Sequence, residues 1–229
     1  DPLSDKYPSL SPFMYCAGNP VVLVDPDGRE IADYYDQKGK YLGTDGITDG
    51  KIIIVPNKKE VNKIKQNDKK GINTQIEDVK SAVELPSLDI RKQMCEVEEM
   101  DKNSPLQEHG GTIFGDKNGN QFISWAESGD VWNGEGDASI DLTRHKDKSV
   151  IANARSAIST FHSHFSGIAP NGKKLDQFAS PEDIINAGIR NSFTGNHYVL
   201  GMGNRVVSIF DKTGIKATFP LDSFKSLGK

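Results

Sequence analysis

Cysteine is scarce in this sequence, in which Cys16 and Cys95 are the only two. They lie far apart in the chain and in regions of different composition, so the sequence predicts no disulfide framework. Cys95 has Met94, Val97 and Met100 near it at helical spacings. This pattern predicts a small buried hydrophobic side chain at Cys95 rather than a reactive nucleophile.

An excess of positive charge and long apolar runs are also missing. The formal net charge is −4, which argues against nucleic acid or an anionic membrane as the main partner. No apolar run has the roughly 18 residues that a membrane-spanning helix needs. Hydrophobic residues make up only 35% of the chain, so part of it is expected to be irregular loop or linker.

Alternating strand and helix signals, by contrast, are present over most of the chain. Apolar and polar residues alternate on both sides of a turn at 116–120, which predicts a hairpin of residues 111–115 and 121–125. The other predicted elements are a hairpin of 197–202 with 205–211, strands at 52–55, 159–164 and 215–219, and helices at 88–100, 151–158 and 180–190. This mixture indicates an α+β or α/β domain over roughly residues 80–229, of which we predict the α+β class. The predicted functional domain is residues 51–229, with its catalytic core at about residues 80–215.

Two histidines spaced two residues apart carry the strongest chemical signal. His162 and His164 lie on a predicted strand, and their rings point to the same side because a strand alternates its faces. Two imidazoles on one side can share a metal ion, and a carboxylate from the helix start at Ser180-Pro181-Glu182-Asp183 can supply a third ligand. Three protein ligands and one open position are typical of catalytic zinc. The residues therefore predict a zinc hydrolase.

Residues 1–50 form a separate block that is rich in turn signals. The run from Tyr7 to Pro20 leads into the short apolar strand Val21–Val24 and then into Asp25-Pro26-Asp27-Gly28-Arg29. This block resembles the C-terminal end of the Rhs/YD-repeat shell. The resemblance implies that residues 1–50 are the shell tail and connector of a longer polypeptide, and that a variable toxin domain follows them.

Three further pieces, in order along the chain, resemble the JAB/MPN (JAMM) metalloprotease family. They are Gln107–Gly115, the His162-Ser163-His164 strand and Ser180–Asp183. The resemblance implies a mixed sheet with flanking helices in a cytidine-deaminase-like layout. It also implies that His162, His164 and Asp183 bind Zn²⁺, that Glu108 is the general base, and that Ser180 stabilises the oxyanion or orients the water.

The sequence departs from the family pattern in two places. Phe165 replaces the usual proline after the second histidine, and the gap before Ser180 is longer than usual. The extra piece, 168–178, is expected to form a surface loop that acts as a lid, with Leu175 and Phe178 turned inward. Of the remaining histidines, His109, His145 and His197 are expected to be structural or exposed, and His197 is the best spare ligand.

These observations predict a zinc-dependent peptidase or isopeptidase that is the toxic C-terminal effector of an Rhs-type polymorphic toxin. It would be secreted, delivered into a competitor cell and act in the cytoplasm of that cell. The implied partners are a protein or peptide substrate, a cognate immunity protein and the Rhs shell of the same polypeptide. Two alternatives stay open: a catalytically silent MPN-like module that binds a partner protein, and a metal-dependent nuclease.

Overall fold

The structure of the protein, a computed structural model, describes residues 33–47, 49–189 and 193–228. Its contacts divide the chain into two units at Ser87, and the second unit spans Leu88–Ser226. Within the described residues, no helix combines the length and apolar character that crossing a membrane would require. The shell-like run from Tyr7 to Arg29, with its predicted strand at Val21–Val24, lies outside the described residues.

The first unit is built on a four-stranded sheet with the strand order β2-β1-β3-β4. The strands are β1 (Asp33–Tyr35), β2 (Tyr41–Thr44), β3 (Ile52–Ile54) and β4 (Val83–Glu84), and helix α1 spans Lys58–Asp68. Its core is a cluster of buried side chains that includes Tyr34, Leu42, Ile53 and Ile64. The predicted strand at 52–55 is therefore confirmed. Strands β1 and β2 of the same sheet lie within residues 1–50, which were predicted to be shell tail and connector.

The second unit contains a six-stranded sheet with the order β10-β9-β8-β7-β5-β6. All neighbouring pairs are antiparallel except β7 and β8, which are parallel. The strands are β5 (Gly110–Gly115), β6 (Gln121–Trp125), β7 (Ser156–His164), β8 (His197–Gly201), β9 (Val206–Asp211) and β10 (Gly214–Pro220). The helices are α2 (Leu88–Met94), α3 (Val97–Asn103), α4 (Pro181–Ile189) and α5 (Leu221–Ser226). These elements confirm the α+β class.

Most of the predicted elements of this unit are present, and two predictions are wrong. The β5–β6 hairpin pairs Gly111 with Trp125 and Gly115 with Gln121, as predicted. The predicted helix at 88–100 is two helices, α2 and α3, separated at residues 95 and 96. The predicted helix at 151–158 is only a 3₁₀ turn at Val150–Asn153, and β7 begins at Ser156. Pairing of β7 with β5 extends the strand over residues that have no strong helical pattern of their own.

Helix α4 covers the face of the sheet on which the chemistry-bearing side chains lie. Ala187 and the partly buried Ile184 pack with Val199 of β8 and Phe210 of β9. Val199 is the register partner of His162 across the parallel β7–β8 pair. The start of α4 is thereby held over the end of β7 that carries the two histidines.

Candidate metal centre

Strand β7 presents Thr160, His162 and His164 on one face, because their spacing matches the period of a strand. Both histidines are buried. Their Nε2 atoms face each other at 3.2 Å. Phe161 and Phe165 alternate with them and are fully buried. The predicted same-side histidine pair is therefore confirmed, and its two ring nitrogens converge on one point.

Asp183 is brought to this point by the first turn of α4. Its Oδ1 lies 3.2 Å from His162 Nε2, and its Oδ2 lies 3.6 Å from His164 Nε2. Ser180 caps the helix: its hydroxyl accepts a hydrogen bond from Asp183 N at 3.1 Å, and its N–H and hydroxyl both donate to Asp183 Oδ2. This reciprocal arrangement is a capping box with an aspartate in the acidic position. It fixes the Asp183 carboxylate against the two imidazoles.

Glu108 reaches the same point from the segment before β5. Its Oε1 lies 3.7 Å from His164 Nε2, and the side chain is buried. Ser163 holds this segment, since its N–H donates to His109 O at 2.7 Å and its hydroxyl accepts from His109 N at 3.0 Å. Gly110 allows the close approach, because a Cβ there would lie 2.2 Å from Phe161 O. Ser163, between the two histidines, thus connects the Glu108 segment to β7.

The tautomer of His164 is set by a main-chain carbonyl. Its Nδ1 lies 2.6 Å from Asp176 O. Because a carbonyl oxygen can only accept, the proton of the neutral ring is on Nδ1 and the lone pair is on Nε2. Burial, together with the neighbouring His162, lowers the pKa of His164 to about 4. His164 therefore presents an unprotonated Nε2 toward His162, Glu108 and Asp183 at neutral pH.

The pKa values of the two carboxylates in the cluster are shifted in opposite directions. Burial raises the pKa of Glu108 to about 7; the charge of His162 opposes that rise, and Asp183 adds to it. Burial also raises the pKa of Asp183, but the hydrogen bond and the charge of His162 outweigh it and bring the pKa below its usual range. Two nearby carboxylates whose pKa values are pushed apart are suited to different tasks.

Glu108, His162 and His164 form a buried group that could hold a metal ion, since their ligand atoms all lie within 4.8 Å of one another. Asp183 belongs to the same cluster, and its 3.2 Å approach to His162 is closer than the 3.7 Å approach of Glu108 to His164. Imidazole nitrogen and carboxylate oxygen are common ligands of divalent transition metals. The two imidazole Nε2 atoms, which lie 3.2 Å apart, are close enough to bind one ion together.

The cluster lies on the wall of a cavity of about 620 Å³ within the second unit. Besides the cluster, it is lined by Trp132 and residues of the loop at 136–142, by residues 173–176 and the start of α4, and by Thr160, His197 and Phe210. Such a volume is in the range of small-molecule binding sites. A substrate group could therefore reach the metal cluster from this cavity.

All five predicted site residues come together here: Glu108, Ser180, His162, His164 and Asp183. Sequence reasoning missed the Asp176 carbonyl and the hydrogen bonds of Ser163 to the His109 backbone, because the partner atoms are main-chain atoms that any residue carries.

The other histidines are mostly structural, as predicted. His109 pairs with Ser128 and His145 with Ser124. His197 is buried with Nδ1 2.7 Å from Thr160 Oγ1, and it also lines the cavity.

Leu175 and Phe178 of the loop at 168–178 were both predicted to turn inward, and only one of them does. Leu175 packs against Trp132, Phe165 and Ala169, as predicted. Phe178 was predicted to turn inward, but 43% of it is exposed. The physical reason is the tight turn at Asp176, whose Oδ1 accepts from Phe178 N at 3.0 Å and directs the Phe178 side chain outward.

Comparison with protein-family models, with curated proteins and with solved structures gives no significant match to this chain.

Proposed function

We propose that the second unit is a zinc-dependent peptidase or isopeptidase. The observation that carries this proposal is the buried cluster of two imidazoles and two carboxylates on the wall of a cavity. Tetrahedral zinc with bonds of about 2.0–2.1 Å places neighbouring ligand atoms about 3.3 Å apart. The 3.2 Å separations of His162 Nε2 from His164 Nε2 and from Asp183 Oδ1 fit this spacing.

The geometry supports different roles for the two carboxylates. Asp183 approaches both histidines and is held by the Ser180 capping box, as a fixed ligand should be. Glu108 approaches from the segment before β5, and its backbone is held by the hydrogen bond from Gly129 N to Glu108 O. This leaves the Glu108 side chain able to turn between the ion and a substrate. We therefore assign His162, His164 and Asp183 as ligands and Glu108 as the general base.

Bound zinc would supply an acidified water and would polarise a substrate carbonyl. The residues of the chain supply the proton transfers. Glu108 accepts a proton from the water and passes it to the leaving amine, a step that contributes roughly 10²–10⁴-fold to the rate. Burial of the cluster excludes bulk water, which strengthens each of these interactions. This combination of groups suits hydrolysis of an amide or isopeptide bond.

The proposed biological setting rests on residues 1–50, whose motif order resembles the end of an Rhs/YD-repeat shell. In that setting the unit is the toxic effector of the longer polypeptide, and it is delivered into a competitor cell to act in its cytoplasm. A cognate immunity protein would bind and neutralise it. These assignments can be tested separately from the chemistry, by expressing the chain inside a bacterial host and measuring growth.

The chemistry is tested with zinc-loaded protein and the Glu108→Gln variant in parallel. Each is incubated with a bacterial extract, and new peptide termini and released isopeptide-linked partners are identified by mass spectrometry. We expect new termini only with the unaltered chain, lost on adding a chelator and restored by zinc. Identical products from the two proteins would overturn the proposal. Digestion of added DNA or RNA without new termini would favour the nuclease, and metal binding without any product would favour the silent module.

A further inference from the structure

The loop at 168–178 is anchored along its length rather than hinged at its ends. Ile168 bridges to Lys174, and Ala169 N donates to Lys173 O at 2.9 Å. Near the tip, Asn171 Nδ2 donates to Gly134 O at 2.9 Å. A loop with this many internal and external hydrogen bonds is unsuited to opening as a whole. The loop is therefore better suited to holding neighbouring segments in place than to opening.

Gln177 makes the most connections of any side chain in this loop. Its Nε2 donates to Phe165 O at 2.9 Å and to Leu175 O at 3.0 Å, and its Oε1 accepts from Gly203 N at 2.6 Å. Both amide protons and the amide oxygen are thus used. The side chain connects the end of β7, the loop and the turn between β8 and β9.

The end of β8 is shaped to admit Gln177. A Cβ on Gly201 would lie 2.5 Å from Gln177 O, and one on Gly203 would lie 2.9 Å from Gln177 Oε1. The two glycines therefore leave space that the Gln177 backbone and side chain fill. On the same strand end, Met202 N donates to His164 O at 2.9 Å. His164 and Gln177 are thus held by one short segment.

The residue before Gln177 supplies the carbonyl that bonds to His164. Asp176 O accepts from His164 Nδ1 at 2.6 Å, while the Asp176 carboxylate is engaged with Phe178 N. Because the carbonyl belongs to the peptide unit that joins Asp176 to Gln177, the three bonds of Gln177 fix where that oxygen lies. A displacement of Gln177 would move the acceptor away from the ring.

We infer that Gln177 is a positioning residue for the metal centre: it holds the Asp176 carbonyl against His164, which keeps the His164 proton on Nδ1 and aims Nε2 at the ion. Outer hydrogen bonds of this kind fix the tautomer and orientation of a ligating histidine, and their loss costs about 10–100-fold in metal affinity. The inference rests on the metal site of the proposed function and not on the identity of the bond that is cleaved. It also explains the longer segment between His164 and Ser180, since that segment carries the Asp176 carbonyl that accepts the hydrogen bond from His164.

The test compares Gln177→Ala with Asn171→Ala, a matched change in the same loop. Both remove an amide side chain that donates to a main-chain carbonyl, but only Gln177 adjoins the carbonyl bonded to His164. Zinc affinity is measured by competition with a chromophoric chelator. We expect a loss of about 10–100-fold for Gln177→Ala and less than about threefold for Asn171→Ala, well below the loss that removal of an outer hydrogen bond produces. Equal losses of zinc affinity in the two variants would show that Gln177 only stabilises the loop, and would overturn the inference.

A second measurement needs no metal and no activity. Nitrogen-15 chemical shifts of the imidazole rings in zinc-free protein report which nitrogen of His164 carries the proton. We expect a single Nδ1–H form in the unaltered chain and a mixture of tautomers in Gln177→Ala. Gln177→Met, which keeps the volume, serves if Gln177→Ala fails to fold. An unchanged tautomer in the folded variant would contradict the inference. Failure of the unaltered chain to bind zinc would instead contradict the proposed function.

Discussion

The carboxylates of Glu108 and Asp183 lie against the same pair of imidazoles, but different neighbours restrain them. Asp183 is tied down by Ser180 and by His162. Glu108 reaches the cluster from a segment whose backbone is held by hydrogen bonds between His109 and Ser163 and between Glu108 O and Gly129 N. At the scale of single residues, the role that we propose for each acid therefore follows from what restrains it rather than from its residue type.

Changing each acid should separate the ligand from the base. Glu108→Gln keeps the shape and is expected to retain one zinc per chain while turnover falls by roughly 10²–10⁴-fold. Asp183→Ala should lose zinc. Elemental analysis measures the zinc content of each variant, and a turnover assay measures its activity; together they test both assignments. Glu182→Ala, which removes the neighbouring exposed acid of α4, is the control and should keep its zinc. Loss of zinc from Glu108→Gln with retention in Asp183→Ala would reverse the two assignments.

Cys95 should be inert while the protein is folded. It is buried, and burial raises the pKa of its thiol to about 12. The thiolate is the reactive form, and at pH 8 it is a negligible fraction of a thiol with such a pKa. We expect no alkylation by iodoacetamide in the native Cys16→Ser variant and complete alkylation in urea. Rapid labelling of the native variant would show that the α2–α3 region opens readily.

At the scale of elements, the contact of β5 with β7 sets the distance from Glu108 to His164. Gly110 is the residue of β5 nearest to the cluster, and it pairs with His162. The strands approach so closely here that a side chain at this position would meet Phe161 O. The metal centre thus depends on one glycine that forms no part of it.

Two glycine-to-alanine changes should have opposite effects on stability. Gly110→Ala forces β5 away from β7, and we expect a loss of about 3 kcal/mol in the free energy of unfolding, with lower zinc affinity. Gly188→Ala in α4 meets nothing closer than 3.5 Å and should gain about 0.5–1 kcal/mol, because alanine favours the helix. Urea unfolding measures both. If Gly110→Ala left the free energy of unfolding unchanged, the contact between β5 and β7 would have room for a side chain at this position.

At the scale of the whole molecule, the cavity and every residue of the metal cluster belong to the unit Leu88–Ser226. The first unit has its own sheet and core, in which β1 lies between β2 and β3. A cut at residue 50, predicted as the start of the toxin domain, would therefore remove β1 and β2 and leave the edge of β3 unpaired. An exposed strand edge favours aggregation.

Two shortened chains test this division. Residues 88–229 should bind one zinc and keep the activity of the whole chain. Residues 51–229 should also bind zinc but should be prone to aggregate, as measured by light scattering. Loss of zinc binding in the 88–229 chain would show that the first unit is required for the centre. Equal solubility of the two chains would show that β1 and β2 are dispensable for the first sheet.

Features of the fold that depend on local spacing could be predicted from the sequence alone. The β5–β6 hairpin has the predicted register because its turn and alternating pattern are local. The same holds for the capped start of α4 and for the shared face of His162 and His164. Glu108 and Asp183 were found as candidates because their motifs occur in a known order.

How these segments meet depends on packing between parts of the chain that are remote in sequence. The Asp176 carbonyl bonds to His164, and Ser163 bonds to the His109 backbone. In both contacts the partner is a main-chain group, which carries no residue-specific signal in the sequence. Strand β7 begins earlier than its own pattern indicates because β5 pairs with it. Residues 33–35 form strand β1 between β2 and β3, and the loop at 168–178 is anchored because Gly201 and Gly203 admit Gln177. Such contacts depend on the distance between remote segments, and that distance is fixed only when the whole unit packs.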